Sequence, residues 1–137
     1  MRSIVEENDF LKFRVWNVTK SAYSKDTHSI TSSGTLDVFN FRHVCNDEYL
    51  VERCTGVKDT NGYLIYENDI VGVPYTNSEK YCHLGIVSFN NDNYGGVLGW
   101  NLVNQDGNAI NHYYGDAPTE RHAVLGNVHT NTLGDFE

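Results

Sequence analysis

Three groupings in this sequence collect residue types able to do chemistry. Asp59, Glu67 and Asp69 lie close together in the chain, and three carboxylates could hold a divalent cation or share a proton as an acid–base pair. The run Asp59-Thr60-Asn61-Gly62 opens like a calcium loop but lacks the remaining positions, notably the bidentate glutamate at the twelfth. The simpler reading has Asp59 and Asn61 hydrogen-bonding their own turn and Asp69 capping the loop before a strand. Sulfur and imidazole form the second grouping: Cys82-His83, with Cys45, Cys54 and one more histidine, would supply four zinc ligands. Structural zinc sites pair their ligands two to four residues apart, and no such Cys pair exists here. Adjacent strand residues also face opposite sides, so Cys82 and His83 diverge, and Cys54 and Cys82 are expected as small core residues. The third grouping is a thiolate at Cys45 or Cys82 activated by His112 or His122. No nucleophile elbow accompanies it, and Gly95-Gly96-Val97-Leu98-Gly99 lacks the Lys-Ser/Thr and helix of a phosphate loop. The expectation is therefore no catalytic residue, no metal and no cofactor.

Aromatic residues are the better surface clue. Tyr75, Tyr81, Tyr94, Trp100, Tyr113 and Tyr114 fall in or beside loops of the C-terminal half and form the candidate binding surface. Tyrosine and tryptophan give large contact area at small entropic cost. The competing reading is that these rings close a small core. Eighteen acids against ten bases leave a formal charge of −8, and Arg14, Arg42, Arg53 and Arg121 are too scattered to form a basic stripe. This balance counts against direct nucleic-acid binding, whose affinity comes largely from cations neutralising phosphates.

The elements that must position these residues are strands. Valine, isoleucine, threonine, asparagine and glycine dominate, whereas alanine and methionine are scarce. Leu11, Phe13 and Val15 alternate with Lys12 and Arg14, the spacing of a half-buried strand, with Trp16 placed to cover a sheet edge or strand end. Further strands are predicted over Thr35–Phe41, Tyr49–Cys54, Ile70–Tyr75, His83–Phe89, Gly95–Val103 and His122–Val128, the last followed by a polar tail. Asn61-Gly62 is a tight-hairpin signal because Asn-Gly tolerates positive φ, and Asp106-Gly107 is another. Pro74 should end its strand or lie at an edge. The fold class is all-β: an SH3-like barrel in the C-terminal half with a small N-terminal β-sheet subdomain packed against it. The divisions are a lead-in at 1–9, the N-terminal subdomain at 10–57 and the barrel at 58–137, with a hairpin at 58–71 marking the junction. Three cysteines and an opening without a leader's apolar run predict free thiols in a reducing cytoplasm. No stretch is long and apolar enough to span a bilayer as a helix.

Three blocks also resemble a known family. Phe13-Arg14-Val15-Trp16-Asn17 is similar to the opening of YopX-like proteins, encoded by bacteriophages and prophages. Thr55 to Val71, which reads TGVKDTNGYLIYENDIV, resembles that family's central signature, with Asn68 where the family prefers glycine. Asparagine replaces glycine there if the residue sits in left-handed space. Val124-Leu125-Gly126-Asn127-Val128 resembles the closing element, and Thr130-Asn131-Thr132-Leu133 follows the usual ending loosely. The resemblance implies a phage setting and a β-rich fold with an SH3-like barrel, and no catalytic activity.

The leading expectation is a non-enzymatic phage accessory protein that binds a host or phage protein. A nucleic-acid-associated SH3-like module and an acidic DNA mimic are the alternatives. Self-association through paired edge strands is left open, and no membrane partner is expected.

Overall fold

Antiparallel pairing accounts for every ladder among the described residues of the computed structural model, which are 12–25, 28–30, 36–38, 42–43, 49–76, 79–90, 99–107 and 117–137. The strands are β1 (Phe13–Asn17), β2 (Ala22–Tyr23), β3 (His28–Ile30), β4 (Leu36–Val38), β5 (Arg42–His43), β6 (Tyr49–Lys58), β7 (Leu64–Tyr66), β8 (Asp69–Pro74), β9 (Tyr81–Asn90), β10 (Gly99–Val103) and β11 (Ala123–Asn127). A short 3-10 helix follows at Leu133–Phe136. The chain forms two compact units: Phe13–Arg53, and Cys54–Glu137 together with Lys12.

In the first unit β1 lies between β2 and the opening half of β6, while β3, β4 and β5 form a separate three-stranded sheet. Val15 is buried with Phe13 and Tyr49 packed against it, as the period-two spacing predicts. The opposite face of β1 is only partly solvated. Trp16 is buried there, across from Tyr23 of the edge strand β2 on one side and Leu50 on the other.

The second unit is built on a four-stranded sheet in the order β10-β9-β8-β11. Neighbouring apolar residues in three of its strands point to opposite faces, and both faces are clad. Val71, Val87 and Leu102 pack with Ile65 of β7, joined by Val57, Trp100 and Val124. Ile70, Ile86 and Val103 pack with Leu133 of the 3-10 helix, joined by Leu84, Val128 and Phe136. The stretch after β11 is thus not merely a polar tail: Leu133 is buried, and its N–H donates to Gln105 Oε1 at 2.9 Å. Doublets such as Ile70-Val71 and Ile86-Val87 are the sequence mark of a sheet buried on both sides. β8 ends at Pro74, which has no amide hydrogen to extend the ladder.

Gly72 marks where β8 is most crowded. Its register with β9 shifts between Val71 and Val73, and a Cβ at this position would lie 2.9 Å from the Tyr81 Cβ, with Leu84 and Leu125 at 3.2 and 3.3 Å. The Tyr81 Cβ is fixed by its strand and cannot swing away. Gly72→Ala is expected to lower stability by about 1–3 kcal/mol, the cost of overpacking, read as a reduced midpoint in urea unfolding.

Candidate functional site

The hairpin between β6 and β7 is held by one carboxylate. Asp59 Oδ1 accepts the N–H groups of Asn61 and Tyr63 at 2.9 and 2.8 Å, and Oδ2 accepts the Val124 N–H of β11 at 2.9 Å. The Asp59 N–H donates to the Tyr63 carbonyl at 2.6 Å, the Gly62 N–H to the Asp59 carbonyl at 3.0 Å, and the Thr60 N–H to the His122 carbonyl at 2.9 Å. Positive φ falls on Gly62 (89°) and not on Asn61, so the loop is the three-residue Thr60-Asn61-Gly62 rather than a two-residue Asn-Gly turn. Asp59 therefore serves its own turn, as its type and position predict, and also ties that turn to a strand 65 residues away. Tyr63 is fixed through both its N–H and its carbonyl, yet its side chain is 69% exposed.

Asp69 also serves the backbone, its Oδ2 accepting the Tyr66 N–H at 2.8 Å. Asn68 adopts φ 69°, the left-handed conformation expected where the family prefers glycine. Its N–H donates to the Val87 carbonyl and its carbonyl accepts the Val128 N–H. Among the described residues no three His, Cys, Asp or Glu side chains are placed to hold a metal ion. Cys54 is buried and its Sγ accepts the Gly56 N–H at 3.3 Å, while Cys82 Sγ lies 3.4 Å from the Val73 carbonyl. Buried His122 takes the Thr119 N–H on Nδ1 at 3.0 Å. Cys45 and His112 lie outside the described residues.

A second polar cluster occupies the first unit. Glu52, 1% exposed, sits opposite Arg14 in the β1–β6 ladder. Its Oε1 accepts from Arg14 Nε at 2.7 Å and from the Tyr23 hydroxyl at 2.8 Å. The Arg14 guanidinium stacks 4.3 Å from the Tyr23 ring centre, and Tyr23 meets Trp16 edge-on at 4.9 Å. A carboxylate so enclosed and so bonded has no open face for a substrate; its chemistry is to compensate a half-buried arginine.

The candidate aromatics divide between two ends of β9. Tyr75 is 51% exposed, and its N–H donates to the Lys80 carbonyl at 3.2 Å, beside half-buried Tyr81. Tyr81 lines a cleft of about 450 Å³ with Glu79, Lys80, Asp135, Phe136 and Glu137. Trp100 is half-buried, packs on the Ile65 core and meets Phe89 edge-on at 5.1 Å. Tyr81 and Phe89 are eight residues apart on one strand, a span of roughly 26 Å, so the two sets do not meet. Tyr94, Tyr113 and Tyr114 lie outside the described residues. Tyr63 was not among the candidates, although an aromatic directly after an Asn-Gly turn is a readable signal for a ring at a hairpin tip.

Fold and site together define an antiparallel β protein of two units, whose buried carboxylates fasten backbone and arginine. The family model described as YopX protein matches residues 12–133, and the chain belongs to the YopX family. A solved structure, the crystal structure of protein EF1440 from Enterococcus faecalis, is similar in fold, with a TM-score of 0.50 at 18% identity over 86% of this chain and 92% of that chain. No curated protein matches. No helix among the described residues is long and apolar enough to cross a membrane.

Proposed function

We propose that this chain is a non-enzymatic phage accessory protein of the host cytoplasm that binds another protein through the tip of the β6–β7 hairpin, with Tyr63 as its anchor. The observation that carries this reading is the pairing of a 69% exposed ring with a backbone held from both sides by Asp59. An aromatic presented without loop freedom loses little entropy on binding, which is what contact hot spots require. The engagement of Asp59, Asp69 and Glu52 in structural hydrogen bonds supports a role in contact rather than conversion. The β8–β9–β10 meander with β11 returning beside β8 supports an SH3-like barrel as the platform.

The test is affinity capture of the tagged chain from phage-infected cells, alongside Tyr63→Ala and Tyr75→Ala. Tyr63→Ala is expected to leave the melting temperature unchanged and to weaken capture of the enriched protein roughly 30-fold, the measure of a 2 kcal/mol hot spot. Capture undiminished by Tyr63→Ala removes the hairpin tip from the interface. Capture of nucleic acid in place of protein overturns the reading as a whole.

A further inference from the structure

Asn61-Gly62 is the one Asn-Gly pair in the chain, and both residues are exposed. This dipeptide is chemically the most prone to deamidation, because glycine leaves the following amide nitrogen unshielded. Apart from its two chain neighbours, nothing lies within 4 Å of where a Gly62 Cβ would be, so no packed side chain shields the glycine from solvent. Access alone would make this a reactive bond. The hydrogen bonding opposes that.

We infer that Asn61-Gly62 is a deamidation site kept closed by the Asp59 clamp and released when the hairpin opens locally. In the reaction the Gly62 nitrogen attacks Asn61 Cγ; the N–Cγ bond forms, the Cγ–Nδ2 bond breaks, and Nδ2 leaves as ammonia carrying the former amide proton. Water then opens the cyclic imide. Cleavage at Cγ gives aspartate, and cleavage at the main-chain carbonyl gives isoaspartate. No electrons are exchanged.

Three observations hold the first step back. The Gly62 N–H that must be lost is donated to the Asp59 carbonyl at 3.0 Å. The Asp59 carboxylate already grips the N–H groups on either side, those of Asn61 and Tyr63, and its negative charge opposes formation of an amide anion between them. The loop is closed by the Asp59–Tyr63 backbone bond, with Gly62 at φ 89°, so any turn of the nitrogen toward Cγ that changes the loop backbone works against that closure. Once formed, isoaspartate places an extra methylene in the main chain. A three-residue loop cannot absorb it and keep the Asp59–Tyr63 closure.

The test follows conversion at position 61 by peptide mapping that separates asparagine, aspartate and isoaspartate, using the whole chain at neutral pH. Native chain is compared with chain in urea above and below its unfolding midpoint. Native conversion is expected to be slower by at least about tenfold, the factor that about 1.4 kcal/mol of hairpin opening gives, and to rise in urea before global unfolding begins. Asp59→Ala is expected to approach the unfolded rate while the rest of the chain is still folded. Conversion as fast in the native chain as in the unfolded one overturns the inference. A rate that follows only global unfolding overturns the local release. Neither comparison requires that Asp59→Ala folds, and neither involves a binding partner.

Discussion

Asp59→Ala is expected to destabilise the chain by about 3–5 kcal/mol, read as a large fall in the urea midpoint monitored by tryptophan fluorescence. The carboxylate is 5% exposed and accepts three backbone N–H groups, two in its own turn and one from β11. Removing it leaves three donors without their acceptor, each costing about 1–3 kcal/mol where water cannot substitute fully. Asp59→Asn separates charge from shape. Its amide oxygen can replace one acceptor oxygen, but its NH₂ group then faces an N–H, so it is expected to lose about half as much. A loss below 1 kcal/mol for alanine would show that the turn closes on Gly62 and the backbone alone.

Glu52→Ala is expected to cost a similar amount, about 3–5 kcal/mol, because it removes the buried acceptor that Arg14 Nε and the Tyr23 hydroxyl share. The informative comparison is the double replacement Arg14→Met with Glu52→Leu. An ion pair this enclosed gains little over apolar side chains of similar volume, so the double variant should recover most of the loss. A double-mutant cycle from equilibrium unfolding measures the difference. Equal losses in the single and double variants would mean that the pair itself, and not the cost of removing one partner alone, stabilises the first unit.

What could be read beforehand was local. Pro74 ending a strand, Asn68 in left-handed space and a turn at Asn61-Gly62 all follow from what one residue does to its own φ or amide. Even there the loop length escaped, because a lone positive φ at Gly62 and a pair at Asn61 and Gly62 are served by the same dipeptide. Partners distant in the chain were not legible. Glu52 reads as a solvent-facing residue of an alternating strand until Arg14, 38 residues earlier, is laid opposite it. The Val124 bond to Asp59 is hidden for the same reason. Leu133 was lost in a stretch of Thr, Asn, Gly and Asp, where one apolar residue makes no periodic pattern. Tyr63 is hard to single out for a different reason: it lies inside the Thr55–Val71 block, where a ring reads as part of a turn and strand, and only its 69% exposure separates it from a core aromatic.

Burial of the β8–β9–β10–β11 sheet from both sides imposes an order on assembly. The Val57 and Ile65 cladding precedes the sheet in the chain, whereas Leu133 and Phe136 follow every strand of it. One layer is therefore complete once β11 has paired with β8, whereas Ile70, Ile86 and Val103 gain their full cover only when the 3-10 helix docks. A chain cut before Leu133 is expected to present that apolar plane to solvent and to self-associate more readily than the whole chain.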